Sequence, residues 1–255
     1  MKSTHLAVLV FTVLGIAKLP LEQRATLRFR EHGIITAPVD LGGLENAGQT
    51  VIAGALGGMR SLAASITYLQ AFAAFEDVKW SEVESLLTLT TRLEPRFDLY
   101  WDDAGSRMGL DAASYYSRDQ RLPSLHRRRL YREYVQRGID FLNEGLKHCP
   151  QSYKLHEKLA FLYTDRVQPP DHRLAAAHHL AAFQNGALAF NERAAAYQMV
   201  LIADDPAAWQ QAYKILRAAY DRRQWLPSVL RDLRILEQRL NVPAAQRIPE
   251  SVPRP

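Results

Sequence analysis

Residues 80–95 read WSEVESLLTLTTRLEP, from Trp80 to Pro95. The apolar residues of this stretch recur at helical spacing, and the proline at its end cannot continue a helix. The stretch therefore predicts one amphipathic helix of about four turns that buries one side against a neighbour.

A small residue follows each of two prolines at the same distance. Gly105 lies ten positions after Pro95, and Ala160 lies ten positions after Pro150. Each belongs to a pattern of large, apolar, small and large residues, which are Trp101, Ala104, Gly105 and Met108 in one copy and His156, Leu159, Ala160 and Tyr163 in the other. Two helices that cross closely need a small residue at the crossing, so the pattern predicts an internal repeat of helical pairs.

These features resemble the tetratricopeptide repeat, in which an aromatic residue and a final proline bound the second helix. The resemblance implies an all-α fold, an α-solenoid of antiparallel helical hairpins in degenerate tetratricopeptide-like repeats over residues 59–224. Pro95 and Pro150 are 55 residues apart, against roughly 34 in the family. We assign the additional residues to 111–132.

Apolar periodicity predicts helices throughout the second part of the chain and no strands. The expected helices cover 59–77, 80–93, 96–110, 124–147, 152–167, 171–184, 191–203, 206–223 and 227–240. Residues 225–255 are expected to form a C-terminal capping helix and tail, with an outer face made polar by Arg231, Asp232, Arg234, Glu237 and Arg239.

The amino-terminal residues 1–21 contain an uncharged apolar run from Leu6 to Ala17. We expect an apolar helix here that anchors the chain in a membrane through residues 6–21. A cleaved signal segment and a buried core helix stay open, because the run is short for a span. The side of the membrane is undetermined. Residues 22–58 read as a glycine-rich connector. The chain has a short apolar amino terminus, then Leu44–Ala47, then Leu56–Arg60 leading into a Trp- and Glu-rich helical pair. This order is similar to that of bacterial membrane-anchored tetratricopeptide-like proteins, and the resemblance implies a scaffold in the cell envelope.

The composition is that of a folded chain without a disulfide framework. Its 255 residues are 47% hydrophobic, include one cysteine and carry a formal net charge of +5. His156 and Glu157 begin a zinc-protease pattern that lacks its second histidine, and His172 and His179 lie about 10 Å apart along one helix, too far for one metal. We therefore expect no enzyme activity, no metal and no cofactor, and we expect these histidines to be solvated or to line a groove.

The resemblance places a peptide-binding groove on the first helix of each repeat. The groove candidates are Tyr68, Phe72, Phe75, Leu99, Asp102, Lys154, Glu157 and Phe161. For Phe72 and Phe75, packing beneath the connector is an equal alternative. The expected function is a protein–protein interaction scaffold whose partners are other proteins.

An arginine-rich helix near 126–137 offers an alternative function. Its basic-patch candidates are Arg127, Arg128, Arg129, Arg132 and Arg137. They would bind anionic lipid or nucleic acid if they shared one face. Glu133 and Asp140 dilute the charge, so nucleic acid is not the expected partner, and an ordinary solvated helix face is the other interpretation.

Overall fold

The computed structural model describes residues 59–249, and these residues are helical with no β-strand among them. The prediction of an all-α fold is confirmed. The predictions made for residues 1–58 and 250–255, including the anchor and the connector, lie outside the described residues. Within 59–249, every helix is too short or too polar to cross a bilayer.

The chain divides into two compact units, residues 1–96 and 97–255. In the first unit, helix α1 spans Arg60–Glu76 and helix α2 spans Trp80–Leu93. The two helices pack against each other, and the hydroxyls of Thr67 and Thr90 lie 2.8 Å apart at their seam. Trp80 begins α2, as predicted, and is buried there.

Only one side of α1 is buried. Its buried residues are alanines, Ala64, Ala71 and Ala74, whereas its large apolar residues Leu62, Ile66, Leu69 and Phe72 are exposed. The alanines therefore form the packed face of α1, and its longer apolar side chains point outward.

The second unit contains eight further α-helices within the described residues. They are α3 Asp98–Ser106, α4 Ala113–Arg118, α5 Ser124–His148, α6 Tyr153–Phe161, α7 His172–Gln184, α8 Phe190–Leu201, α9 Pro206–Asp221 and α10 Pro227–Arg239. Asp171 and Asp205 cap α7 and α9 by accepting a backbone N–H from Leu174 and Ala208, as aspartate does at an N-cap.

Two π-helical segments occupy equivalent places. Arg107–Ala112 joins α3 to α4, and Leu162–Arg166 follows α6. They begin 55 residues apart, the same separation as Pro95 and Pro150. The residues 111–132 that exceed the family's repeat length do not form a separate loop, because they lengthen both arms of the hairpin that α3 and α4 make with α5.

Glycines set how closely this hairpin closes. A Cβ added to Gly138 of α5 would lie 2.6 Å from both Cα and N of Gly109, and one added to Gly105 would lie 2.5 Å from Cγ of Leu142. Gly105 and Ala160 are both buried. A small residue is therefore required at Gly105, as predicted, but the closest approach of the two backbones is one turn further on, at Gly109 and Gly138.

The carboxyl-terminal residues fold back onto the last helices. Ile248 is 6% exposed and packs into the core formed by α8, α9 and α10, and its backbone N–H donates to Glu237 Oε1 at 2.9 Å. Asp232 is 3% exposed and accepts from Arg231 at 2.7 Å. The expectation that Asp232 and Glu237 belong to a polar outer face is wrong, because both carboxylates are buried and engaged.

Candidate peptide-binding face and basic hairpin tip

Four of the predicted groove residues bring apolar and charged groups to one face of α3 and α6. Leu99 and Asp102 are one turn apart on α3, and Lys154 and Phe161 are two turns apart on α6. Leu99 is 43% exposed and Phe161 is 40% exposed. The two helices contact each other, and Nζ of Lys158 lies 3.7 Å from Oδ1 of Asp102 across them. We call these five residues the α3/α6 face.

Asp102 is the chemically unusual residue of the α3/α6 face. Its Oδ1 is buried and accepts no hydrogen bond from the described residues, because 3.7 Å to Lys158 is too long for one. Burial raises the pKa of the Asp102 carboxyl, and the charge of Lys158 opposes that rise. The Asp102 side chain as a whole is 24% exposed, so a small rotation towards the surface would let this oxygen accept an N–H from a bound chain.

Glu157, also predicted to line the groove, is engaged within the fold. Asn191 of α8 is 1% exposed, donates its Nδ2–H to Glu157 Oε1 at 2.6 Å and accepts from His179 at 2.9 Å. The Asn191 amide also donates to the backbone of Leu188, so all of its hydrogen-bonding groups have partners. Glu157 thus holds a buried amide in place.

The histidines of α7 pair with amides of α8. Nδ1 of His172 lies 2.8 Å from Oε1 of Gln198, and Nδ1 of His179 lies 2.9 Å from Oδ1 of Asn191. Since amide oxygens only accept, each ring donates its Nδ1–H. His179 follows His172 by seven residues, whereas its partner Asn191 precedes Gln198 by seven residues. The two helices therefore run antiparallel. These histidines are half-buried between helices rather than solvated, and each has an amide partner.

A second histidine contact links α6 to α7. Nδ1 of His156 and Nδ1 of His178 lie 3.0 Å apart, so one ring donates and the other accepts. The ring of His178 also stacks on Tyr163. Burial, followed by the neighbouring His156 and His179, lowers the pKa of His178 to about 4. The pair therefore holds together in the neutral state.

The remaining groove candidates belong to the first unit. Phe72 is 47% exposed, whereas Tyr68 and Phe75 are half-buried. The ring of Phe75 packs edge-on against Trp80, with centroids 5.5 Å apart. Phe75 thus supports the turn between α1 and α2. The connector that was the alternative partner of Phe72 and Phe75 lies outside the described residues.

The predicted basic patch separates into two groups. Arg128, Arg129 and Arg132 are exposed on the amino-terminal part of α5. Arg137 instead pairs with Glu133 at 2.6 Å and lies over the ring of Tyr134, and Arg127 is half-buried and donates to the backbone of Leu122. The exposed arginines therefore gather at the tip of the hairpin, and the charge of Arg137 is compensated.

Residues 59–249 contain no group of three histidine, cysteine, aspartate or glutamate side chains placed to hold a metal ion. No protein-family model, curated protein or solved structure matches the chain. The relation to tetratricopeptide-repeat proteins therefore stays a prediction from the sequence.

Proposed function

We propose that this protein is a non-enzymatic interaction scaffold that binds a segment of a partner protein on the α3/α6 face. The α-solenoid of tetratricopeptide-like hairpins belongs to the same proposal. It is supported by the 55-residue separation shared by the two prolines and the two π-helical segments. Anchoring by residues 6–21 and a place in a bacterial envelope assembly are the cellular part of the proposal.

The observation that carries the proposal is the combination of exposed apolar side chains with an unsatisfied buried acceptor. Leu99 and Phe161 offer apolar contact, Lys154 and Lys158 offer positive charge, and Asp102 Oδ1 offers an acceptor. Peptide-binding grooves use the same combination, in which side-chain pockets give affinity and polar groups fix orientation. We expect the bound segment to place an apolar side chain between Leu99 and Phe161. We also expect its backbone or a side chain to donate an N–H to the Asp102 carboxylate, which rotates outward to accept it.

Site-specific photo-crosslinking in the cells of origin tests this proposal. A photoreactive amino acid at Phe161 should form a crosslink to one partner protein, and the same amino acid at Leu188, which is 80% exposed on the loop before α8, should not. Adding Asp102→Asn should weaken the Phe161 crosslink, because a neutral amide is a poorer acceptor than a carboxylate.

Equal crosslinking from Phe161 and Leu188, or none from Phe161 when a partner is still recovered by affinity purification, would show that the partner binds elsewhere. The anchor is tested separately. Recovery of the mature protein in the soluble fraction with its amino terminus at Lys18 would contradict a retained membrane helix.

A further inference from the structure

The positive charge of the chain is concentrated in the hairpin that α4 makes with the start of α5. Residues 113–132 contain six arginines and one aspartate, a formal charge of +5, which equals the net charge of all 255 residues. The formal charges of all other residues therefore sum to zero. We call residues 118–132 the hairpin tip.

Three of the hairpin-tip arginines lie on one exposed face of α5 together with a leucine. Leu125, Arg128, Arg129 and Arg132 follow one another at helical spacing along the first turns of α5, and all four are exposed. Leu125 is 78% exposed. Among the described residues, these three arginines have no ion-pair partner, whereas Arg121 is held by Asp119 at 2.8 Å.

The start of α5 is positively charged even before its exposed arginines are counted. The amino-terminal end of a helix carries partial positive charge, which favours acidic residues and disfavours basic ones. The first turn of α5 contains no acidic residue, and Arg127, Arg128 and Arg129 follow at once. A bound anion would be attracted by the helix end and by the neighbouring arginines together.

The hairpin is held rigidly behind its tip. Tyr116 of α4 stacks on Tyr134 of α5 with centroids 4.9 Å apart, and Tyr131 donates its hydroxyl to the backbone of Arg166 at 3.0 Å. The backbone that carries the arginines and Leu125 is therefore held in place, which reduces the entropy lost on binding.

The same contacts favour a lipid surface over nucleic acid. Single-stranded nucleic acid is bound by stacking bases on exposed aromatic rings, but Tyr131 and Tyr134 of α5 are engaged inside the hairpin. Tyr115 of α4 is 36% exposed, but its ring packs edge-on against Tyr116 and its hydroxyl accepts from Arg121. The exposed basic face from Leu125 to Arg132 is about 10 Å long, and the Arg137–Glu133 pair ends it. A short cationic face that ends in an exposed leucine suits headgroups above an acyl boundary.

We propose that the hairpin tip docks on the surface of an anionic bilayer, with Arg128, Arg129 and Arg132 at lipid phosphates and Leu125 inserted between headgroups. This contact uses a surface other than the α3/α6 face, so it stands or falls independently of the peptide-binding proposal.

A probe at the tip tests the contact without depending on how residues 6–21 behave. A nitroxide label is attached to Ser124→Cys in a Cys149→Ser background of the full chain. The labelled chain is mixed with vesicles of phosphatidylcholine, or of phosphatidylcholine with 30% phosphatidylglycerol. We expect the label to lose accessibility to a water-soluble nickel complex and to gain accessibility to oxygen on the anionic vesicles only. High salt should reverse both changes, because it screens exposed charges.

Matched charge reversals complete the test. Arg128→Glu with Arg129→Glu should weaken the tip's contact with anionic vesicles by at least about 25-fold, at roughly fivefold for each arginine lost. Lys214→Glu with Arg222→Glu makes the same change in net charge at exposed positions of α9 and its end, and should leave the contact intact. Equal losses in both variants, or a label that stays water-accessible on anionic vesicles, would overturn the proposal. Immobilisation of the label by single-stranded nucleic acid alone would overturn it in favour of that partner.

Discussion

Replacing Gly138 by alanine should destabilise the second unit although alanine is the better helix former. In an exposed helix the change would gain about 1 kcal/mol. Here the new methyl group would lie 2.6 Å from two backbone atoms of Gly109 and 2.7 Å from the carbonyl oxygen of Gly105. Backbone atoms cannot rotate away, so α5 must move outward. Overpacking costs about 1–3 kcal/mol, and a clash with backbone atoms lies at the upper end of that range, so after the gain of about 1 kcal/mol we expect a net loss of about 2 kcal/mol.

Gly109→Ala is the matched control, because it adds the same methyl group from the opposite helix. That methyl would meet the side-chain carbons of Leu162 at 3.1 and 3.2 Å and the Cα of Gly138 at 3.5 Å. Leu162 can shift by a few tenths of an ångström, so we expect a stability within about 1 kcal/mol of the wild type.

Thermal and guanidinium unfolding followed by circular dichroism would measure both variants. The Tm of Gly138→Ala should fall by about 4–8 °C, at roughly 2–4 °C for each kcal/mol. A Gly138→Ala protein as stable as the wild type, or less affected than Gly109→Ala, would refute the close backbone approach on which the packing of α3 against α5 depends.

Three further outcomes follow from buried groups. Because the pKa of His178 is about 4 in the fold and near 6.5 when unfolded, the unfolded chain takes up the proton first, and stability should decline as the pH falls from about 6.5 towards 4. His178→Leu should flatten that decline in denaturant titrations at pH 7 and pH 4.5. Burial raises the pKa of Asp102, so its ionised form costs stability at neutral pH. Asp102→Asn should raise the Tm at pH 7 and lose this advantage in acid, and an unchanged Tm at both pH values would contradict the burial of that charge. Ile248→Ala should cost about 2 kcal/mol through the cavity it leaves, and urea unfolding would show no loss if residues 243–249 did not pack on the core.

Local sequence patterns predicted most of the helices and the small residue at one helix crossing. The helix from Trp80 to Leu93 has the bounds that its aromatic start and closing proline predict, and the small residue at Gly105 was expected for the reason that the structure shows. Contacts between residues far apart in the sequence could not be predicted from such local patterns. Gly109 meets Gly138 in a hairpin whose arms are longer than the helices of the family's repeat. The length of these arms alone does not predict which glycines come into contact.

The sequence predicted which residues are exposed at the candidate site better than it predicted which residues contact one another there. Leu99 and Phe161 were expected to be exposed groove residues and are exposed. Glu157 was also expected to line the groove, but its carboxylate accepts a hydrogen bond from the buried side chain of Asn191, thirty-four residues later. The seven-residue spacing of His172 and His179 is matched by that of Asn191 and Gln198, and this shared spacing is the signal in the sequence that could have revealed the pairing.

The two histidine–amide contacts between α7 and α8 have a mechanical consequence. A slip of one turn between these helices would break both contacts at once and leave the side-chain oxygen of Asn191 buried without its donor, at a cost of about 1–3 kcal/mol. Sliding of α7 along α8 is therefore opposed by both contacts, whereas tilting of the pair as a block preserves them. Any conformational response to a partner in this part of the molecule should move α7 and α8 together, and strain should collect at the chain segments that flank them.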